Sequence, residues 1–173
     1  MLYQGWRPKR WETPFSDVKS LAVVSLTDSG TLQVVVEAAR AMPRRRWRID
    51  FGRVPAYLNL MEEFRLELWG QTNPGEVKLG WARIIPDSPW LEKLCEREPL
   101  LRIHHPTLIH YQVGSEDDVI DVLGPATPTI QEIEPAADNE SLPEKSRTLL
   151  YPDDRAEIED LVERIRNRTR TGS

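Results

Sequence analysis

Apolar and polar residues alternate in several separate stretches of this chain, and a period of two marks half-buried strands. The clearest stretch is residues 107–123, TLIHYQVGSEDDVIDVL. Two β-rich runs flank Gly114, Ser115, Glu116 and Asp117, which predicts a β-hairpin with a four-residue loop. That loop sets Val113 opposite Asp118, Tyr111 opposite Ile120 and Ile109 opposite Val122. Ile109, Tyr111, Ile120 and Val122 then share the core face. His110 falls directly opposite Asp121 on the other face, as a half-exposed pair.

The same period recurs elsewhere. Residues 21–26 and 32–37 are β-rich, and Thr27, Asp28, Ser29 and Gly30 between them are turn formers, which predicts a second hairpin. Arg46, Arg48 and Asp50 alternate with Trp47, Ile49 and Phe51, the pattern of a strand with its aromatic face inward. Residues 54–69 fit a helical stripe (Tyr57, Met61, Phe64, Leu68) and a strand equally well. The reading adopted is a short turn through Tyr57 and a strand over 63–69. Residues 77–85 give another β-rich run, and 129–133 an edge strand.

Helical signals are few. Ser88 followed by Pro89 is a cap and a first-turn proline, and Trp90, Leu91, Leu94 and Cys95 then fall on one side. Pro99 ends that helix, so it covers about 89–98. Pro152, Asp153 and Asp154 start a C-terminal helix over about 153–168, with Ile158, Leu161, Val162 and Ile165 as its apolar stripe. Its acids come early and its arginines late, which suits the helix dipole. Between 134 and 150 the chain turns to prolines and acids with little to bury, the composition of a linker.

The expected fold is therefore α+β: one mostly antiparallel curved sheet with a short helix and a C-terminal helix. The expected organisation is a single domain over 1–133 with an extended N-terminal arm, a linker over 134–150 and a helix over 151–173. At 173 residues, one domain with a sizeable core is the default.

Charge and composition narrow the chemistry. A net charge of -5 argues against nucleic-acid binding by the whole surface. Cys95 is the only cysteine, so no internal disulfide forms, in keeping with a cytoplasmic protein. The first residues lack the apolar stretch of a secretory signal, and no run is long enough to span a membrane. Phosphate-binding glycine loops are absent, and no cofactor is implied.

Two groups of residues could carry function. The first is basic and aromatic: Trp6 and Trp11 around Arg7, Lys9 and Arg10, and the run Arg44, Arg45, Arg46, Trp47, Arg48. Arginine beside tryptophan can pair with anions and stack, so Arg44, Arg45, Arg46, Arg48, Trp6 and Trp11 form a candidate binding surface. Its partner would be another protein, held in part by the C-terminal helix, ahead of a nucleic acid. The second group is His104, His105 and His110 with Asp117, Asp118 and Asp121. His110 with Asp121 is half of a nucleophilic triad, with Ser115 the nearest hydroxyl, while His104, His105 and His110 are conceivable metal ligands. The adjacent histidines lack helical ligand spacing, and no Gly-x-Ser-x-Gly elbow occurs. The leading expectation is thus a non-catalytic binding protein, a small adaptor, regulator or neutralising partner. The alternative is a small hydrolase or metal-dependent enzyme using the region from His104 to Asp121.

Overall fold

The computed structural model of the chain describes residues 7–41, 43–61 and 79–135. In these, nine strands and two helices follow one another: β1 (Lys9–Arg10), β2 (Leu21–Asp28), β3 (Leu32–Ala38), β4 (Arg46–Gly52), β5 (Ala56–Met61) and β6 (Ala82–Ile85), then α1 (Pro89–Arg97) and α2 (Pro99–His104), then β7 (Ile109–Gly114), β8 (Asp118–Gly124) and β9 (Thr129–Ile133). Every pairing between these strands is antiparallel.

The strands form two sheets, where a single curved one was expected. The first sheet runs β1-β6-β7-β8-β5, and the second β2-β3-β4-β9. Alternation explains the division. Leu32, Val34 and Val36 on β3 and Trp47, Ile49 and Phe51 on β4 give the second sheet an apolar face. Tyr111 and Val113 on β7 and Ile120 and Val122 on β8 give one to the first sheet. Each face needs a cover, and the two cover each other. Phe51 meets Tyr111 across the interface with ring centroids 6.0 Å apart. Trp11 lies 5.1 Å from Tyr111, and Phe15 lies 5.8 Å from Trp47, so the aromatics of the N-terminal stretch complete this core.

A bulge in β2 fixes what faces outward from the second sheet. The register of β2 on β3 shifts between Val23 and Ser25. Leu21 and Val23 point inward before the shift, and Leu26 points inward after it. Ser25 and Thr27 are thereby left on the outer face. The turn after β2 closes through Gly30, whose φ of 94° suits glycine.

The hairpin of β7 and β8 is present with a shifted loop. Gly114 stays in the strand and pairs with Val119, so the residues between the last paired positions are 115–118 rather than 114–117. Ser115 makes the difference. Its Oγ accepts from the backbone N–H of Asp118 at 2.8 Å, and its own N–H donates to Asp118 O at 2.7 Å. The register therefore moves by two residues: His110 faces Leu123, Tyr111 faces Val122 and Gln112 faces Asp121. A slip of two keeps every side chain on its expected face.

Two local expectations change. A short turn was expected through Tyr57, but Tyr57 lies within β5, which pairs with β8 from Ala56 with Leu123 through Met61 with Asp118. Pro99 does end α1, but it also opens α2 as a first-turn proline. The strand expected over 63–69, the linker beyond Pro135 and the C-terminal helix lie outside the described residues. Among the described residues, no helix is long and apolar enough to cross a membrane.

Candidate functional site

The outer face of the first sheet holds a buried polar chain. Arg83, Gln112 and Asp121 form one row across β6, β7 and β8. Arg83 Nη1 donates to Gln112 Oε1 at 2.9 Å, and Gln112 Nε2 donates to Asp121 Oδ1 at 2.8 Å. His110, one row along, reaches Asp121 diagonally, with Nε2 to Oδ1 at 3.0 Å. Ser88 Oγ lies 2.8 Å from His110 Nδ1 and accepts the N–H of Leu91 at 3.1 Å, which caps α1. A carboxylate only accepts, so Nε2 of His110 donates to it and the Ser88 hydroxyl donates to Nδ1 in the neutral ring.

The expected His110–Asp121 contact therefore exists, but the pair is buried rather than half exposed. His110 is 1% exposed, Asp121 0% and Ser88 3%. Helix α1 seals it: Trp90 meets the His110 ring edge-on at 5.1 Å and packs with Leu58, Ile85 and Leu123. Burial pushes the Arg83 guanidinium below its ordinary range, and the charge of Asp121 pulls the other way. Ser88, His110 and Asp121 are the side-chain types of a nucleophilic triad, in contact and in line. Yet the hydroxyl is occupied by the helix cap and closed to water. Ser115, the nucleophile considered from sequence, is tied into its own loop.

The three histidines do not come together as a metal set. His104 is the last residue of α2, His105 caps that helix, and His110 lies under α1. Among the described residues, no group of three His, Cys, Asp or Glu side chains could hold a metal ion.

The arginine run divides. Glu37, wholly buried, accepts from Arg46 Nε at 2.6 Å and from Arg44 Nη1 at 3.3 Å. Arg45 forms a two-bond fork with Glu132, at 2.7 and 2.8 Å, and stacks 5.0 Å from the Trp47 ring centroid. The fork holds the Arg45 charge firmly and pulls the Glu132 carboxyl below its ordinary range. Trp11 belongs to the core, so it leaves the expected surface. Trp6 lies outside the described residues.

Arg48 is different. It occupies the middle of the outer face of the second sheet, in a row with Ser25, Val35 and Gln131. Among the described residues, its one side-chain hydrogen bond is to Gln131 Oε1 at 3.5 Å, the far limit of such a bond. Two adjoining depressions of about 540 and 460 Å³ meet at Arg48, Ile133, Glu134 and Pro135. Ser25, Thr27, Gln33, Val35 and Arg46 line the larger one. The arrangement offers a guanidinium fork for a carboxylate, hydroxyl and amide groups for a backbone, and two aliphatic side chains.

Sequence reading placed Arg48 in its run but could not separate it from Arg44 and Arg46. It also treated Ser88 only as a cap, because its partner His110 is 22 residues away. In comparisons with known proteins, no family model, curated protein or solved structure matches this chain.

Proposed function

We propose that this protein is a non-catalytic binding module, of the adaptor or regulator kind, that holds an acidic segment of a partner protein on the outer face of the second sheet. One observation carries the reading: Arg48 stands in the centre of a polar face, and its side chain makes one long hydrogen bond among the described residues. An extended segment has its side chains at a period of two, which matches the rows of the sheet. A carboxylate on it would take the fork of Arg48, and an apolar neighbour would rest on Val35 or Ile133.

The test is a titration with a labelled short peptide alternating Val and Glu, beside its Val/Gln counterpart. The acidic peptide binds and the neutral one does not, and added salt weakens the complex. Arg48→Ala weakens it about tenfold or more, since a hydrogen bond to a charged group contributes about 1.5–3 kcal/mol and 1.4 kcal/mol is tenfold. Equal affinity of wild type and Arg48→Ala would contradict the reading.

A second reading, a small hydrolase, is favoured by the contact line of Ser88, His110 and Asp121. It requires α1 to lift from the sheet and free the hydroxyl. A fluorophosphonate probe decides: labelling of wild type and not of Ser88→Ala supports the enzyme, and no labelling of either leaves the binding module.

A further inference from the structure

The chain leaves the second sheet along the face that holds Arg48. Strand β9 ends at Ile133, opposite Arg46. Ile133, Glu134 and Pro135 then line both depressions together with Arg48. Pro135 is the last described residue, so the chain departs from the wall of the site itself. The sequence that follows is AADNESLP over 136–143. Asp138, Glu140 and Leu142 fall at a spacing of two, two carboxylates ahead of one large apolar side chain. In an extended segment all three share one side. That is the pattern of the ligand proposed for the face of Arg48, a carboxylate for the fork and an apolar neighbour for Val35 or Ile133.

We infer, resting on the proposed reading of that face, that residues 138–142 are a tethered competitor for it, seated at Arg48 until an acidic segment of a partner displaces them. Reach and charge both allow the seat. Asp138 stands three residues beyond Pro135, and each residue spans at most about 3.5 Å. Glu37 holds Arg44 and Arg46, and Glu132 holds Arg45. Among the described residues Arg48 forms no ion pair, so its fork is the group of the run that a carboxylate on the segment would meet. A tether gives the segment an effective concentration on the order of mM, so a contact too weak to persist between free molecules holds in cis. A partner then binds with its affinity reduced by the share of faces left open. The segment thus sets a threshold: a partner segment must match the face better than Asp138, Glu140 and Leu142 do.

The experiment titrates the labelled Val/Glu peptide into full chains: wild type, the triple variant Asp138→Asn/Glu140→Gln/Leu142→Ser, Arg48→Ala, and the triple variant combined with Arg48→Ala. A further chain, Asp153→Asn/Asp154→Asn, removes the same number of charges elsewhere. The triple variant binds the peptide about threefold more tightly than wild type, the factor for a face occupied about two-thirds of the time. Asp153→Asn/Asp154→Asn binds as wild type does. With Arg48→Ala the gain disappears, because neither the peptide nor the segment then finds the fork. Equal affinity of the triple variant and wild type, an equal gain in Asp153→Asn/Asp154→Asn, or a gain that survives Arg48→Ala would each overturn the inference. In the first two cases a weakening of the peptide by Arg48→Ala alone still upholds the reading of the face. If no chain binds the peptide, the reading and the inference fall together.

Discussion

An arginine and a glutamine face each other across neighbouring strands in both sheets, and only one of the two pairs is closed. In the first sheet, Arg83 and Gln112 meet at 2.9 Å, and Gln112 passes the contact on to Asp121. In the second, Arg48 and Gln131 meet at 3.5 Å, and the row ends there in Val35 and Ser25. The residue types are the same. What differs is a carboxylate in the row and cover above it. A buried polar group is costly unless bonded, and the first row carries its bonds on to Ser88 and the cap of α1. The second row, only partly buried, carries no such requirement. On the proposed reading, the line of Ser88, His110 and Asp121 serves the fold and the row of Arg48 serves binding.

The comparison breaks first at Asp121. Asp121→Ala leaves Gln112 and His110 buried without their shared acceptor and Arg83 without the charge of Asp121, and it should cost about 3–5 kcal/mol in denaturant unfolding. A loss under about 1 kcal/mol would mean that the first row does not hold the fold. Ser88→Ala removes the cap of α1 and the partner of His110. A loss of about 0.5–2 kcal/mol is expected, with α1 amides exchanging faster in hydrogen exchange. Arg48→Ala, by contrast, should change stability by no more than about 0.5 kcal/mol in the same assay. A larger loss would show that the second row is structural too.

The smallest effect sharpens the second row. Arg45 clamps β9, the strand carrying Gln131, through Glu132. Arg45 lowers the Glu132 pKa, so the contribution of this carboxylate is complete above the unfolded value of about 4.5 and is lost as pH falls through the folded one. Wild type should exceed Glu132→Gln slightly above pH 4.5, and the two unfolding curves should converge in acid. The pair is exposed, so a difference visible at low salt should fade at high salt.

Much of the strand layout was legible from alternation. The segments holding Trp47, Ile49 and Phe51, and Tyr111, Val113, Ile120 and Val122, point inward as the pattern predicts. Alternation cannot detect a slip of two residues, because it preserves faces, and so the pairing of His110 was misplaced until the bonds of Ser115 settled the loop. Nor does a local pattern reveal partners brought by folding. Glu37 satisfies Arg44 and Arg46 across a hairpin, Ser88 finds His110, and β8 draws Tyr57, expected in a short turn, into a strand. Pro99 was legible as a stop and not as a start, since the same ring geometry serves both. The division into two sheets was hidden for a related reason. Each run shows one apolar face, and nothing in the run says which other run will cover it.

The most direct measurement is a backbone amide NMR map of the isotope-labelled protein titrated with the Val/Glu peptide. The shifts should concentrate on Ser25, Val35, Arg48, Gln131 and Ile133 and leave Arg83, His110, Gln112 and Asp121 in place. They should vanish with Arg48→Ala while the spectrum stays folded. Shifts centred on Ser88, His110 and Asp121, or an unchanged map in Arg48→Ala, would contradict the assignment of binding to the open row.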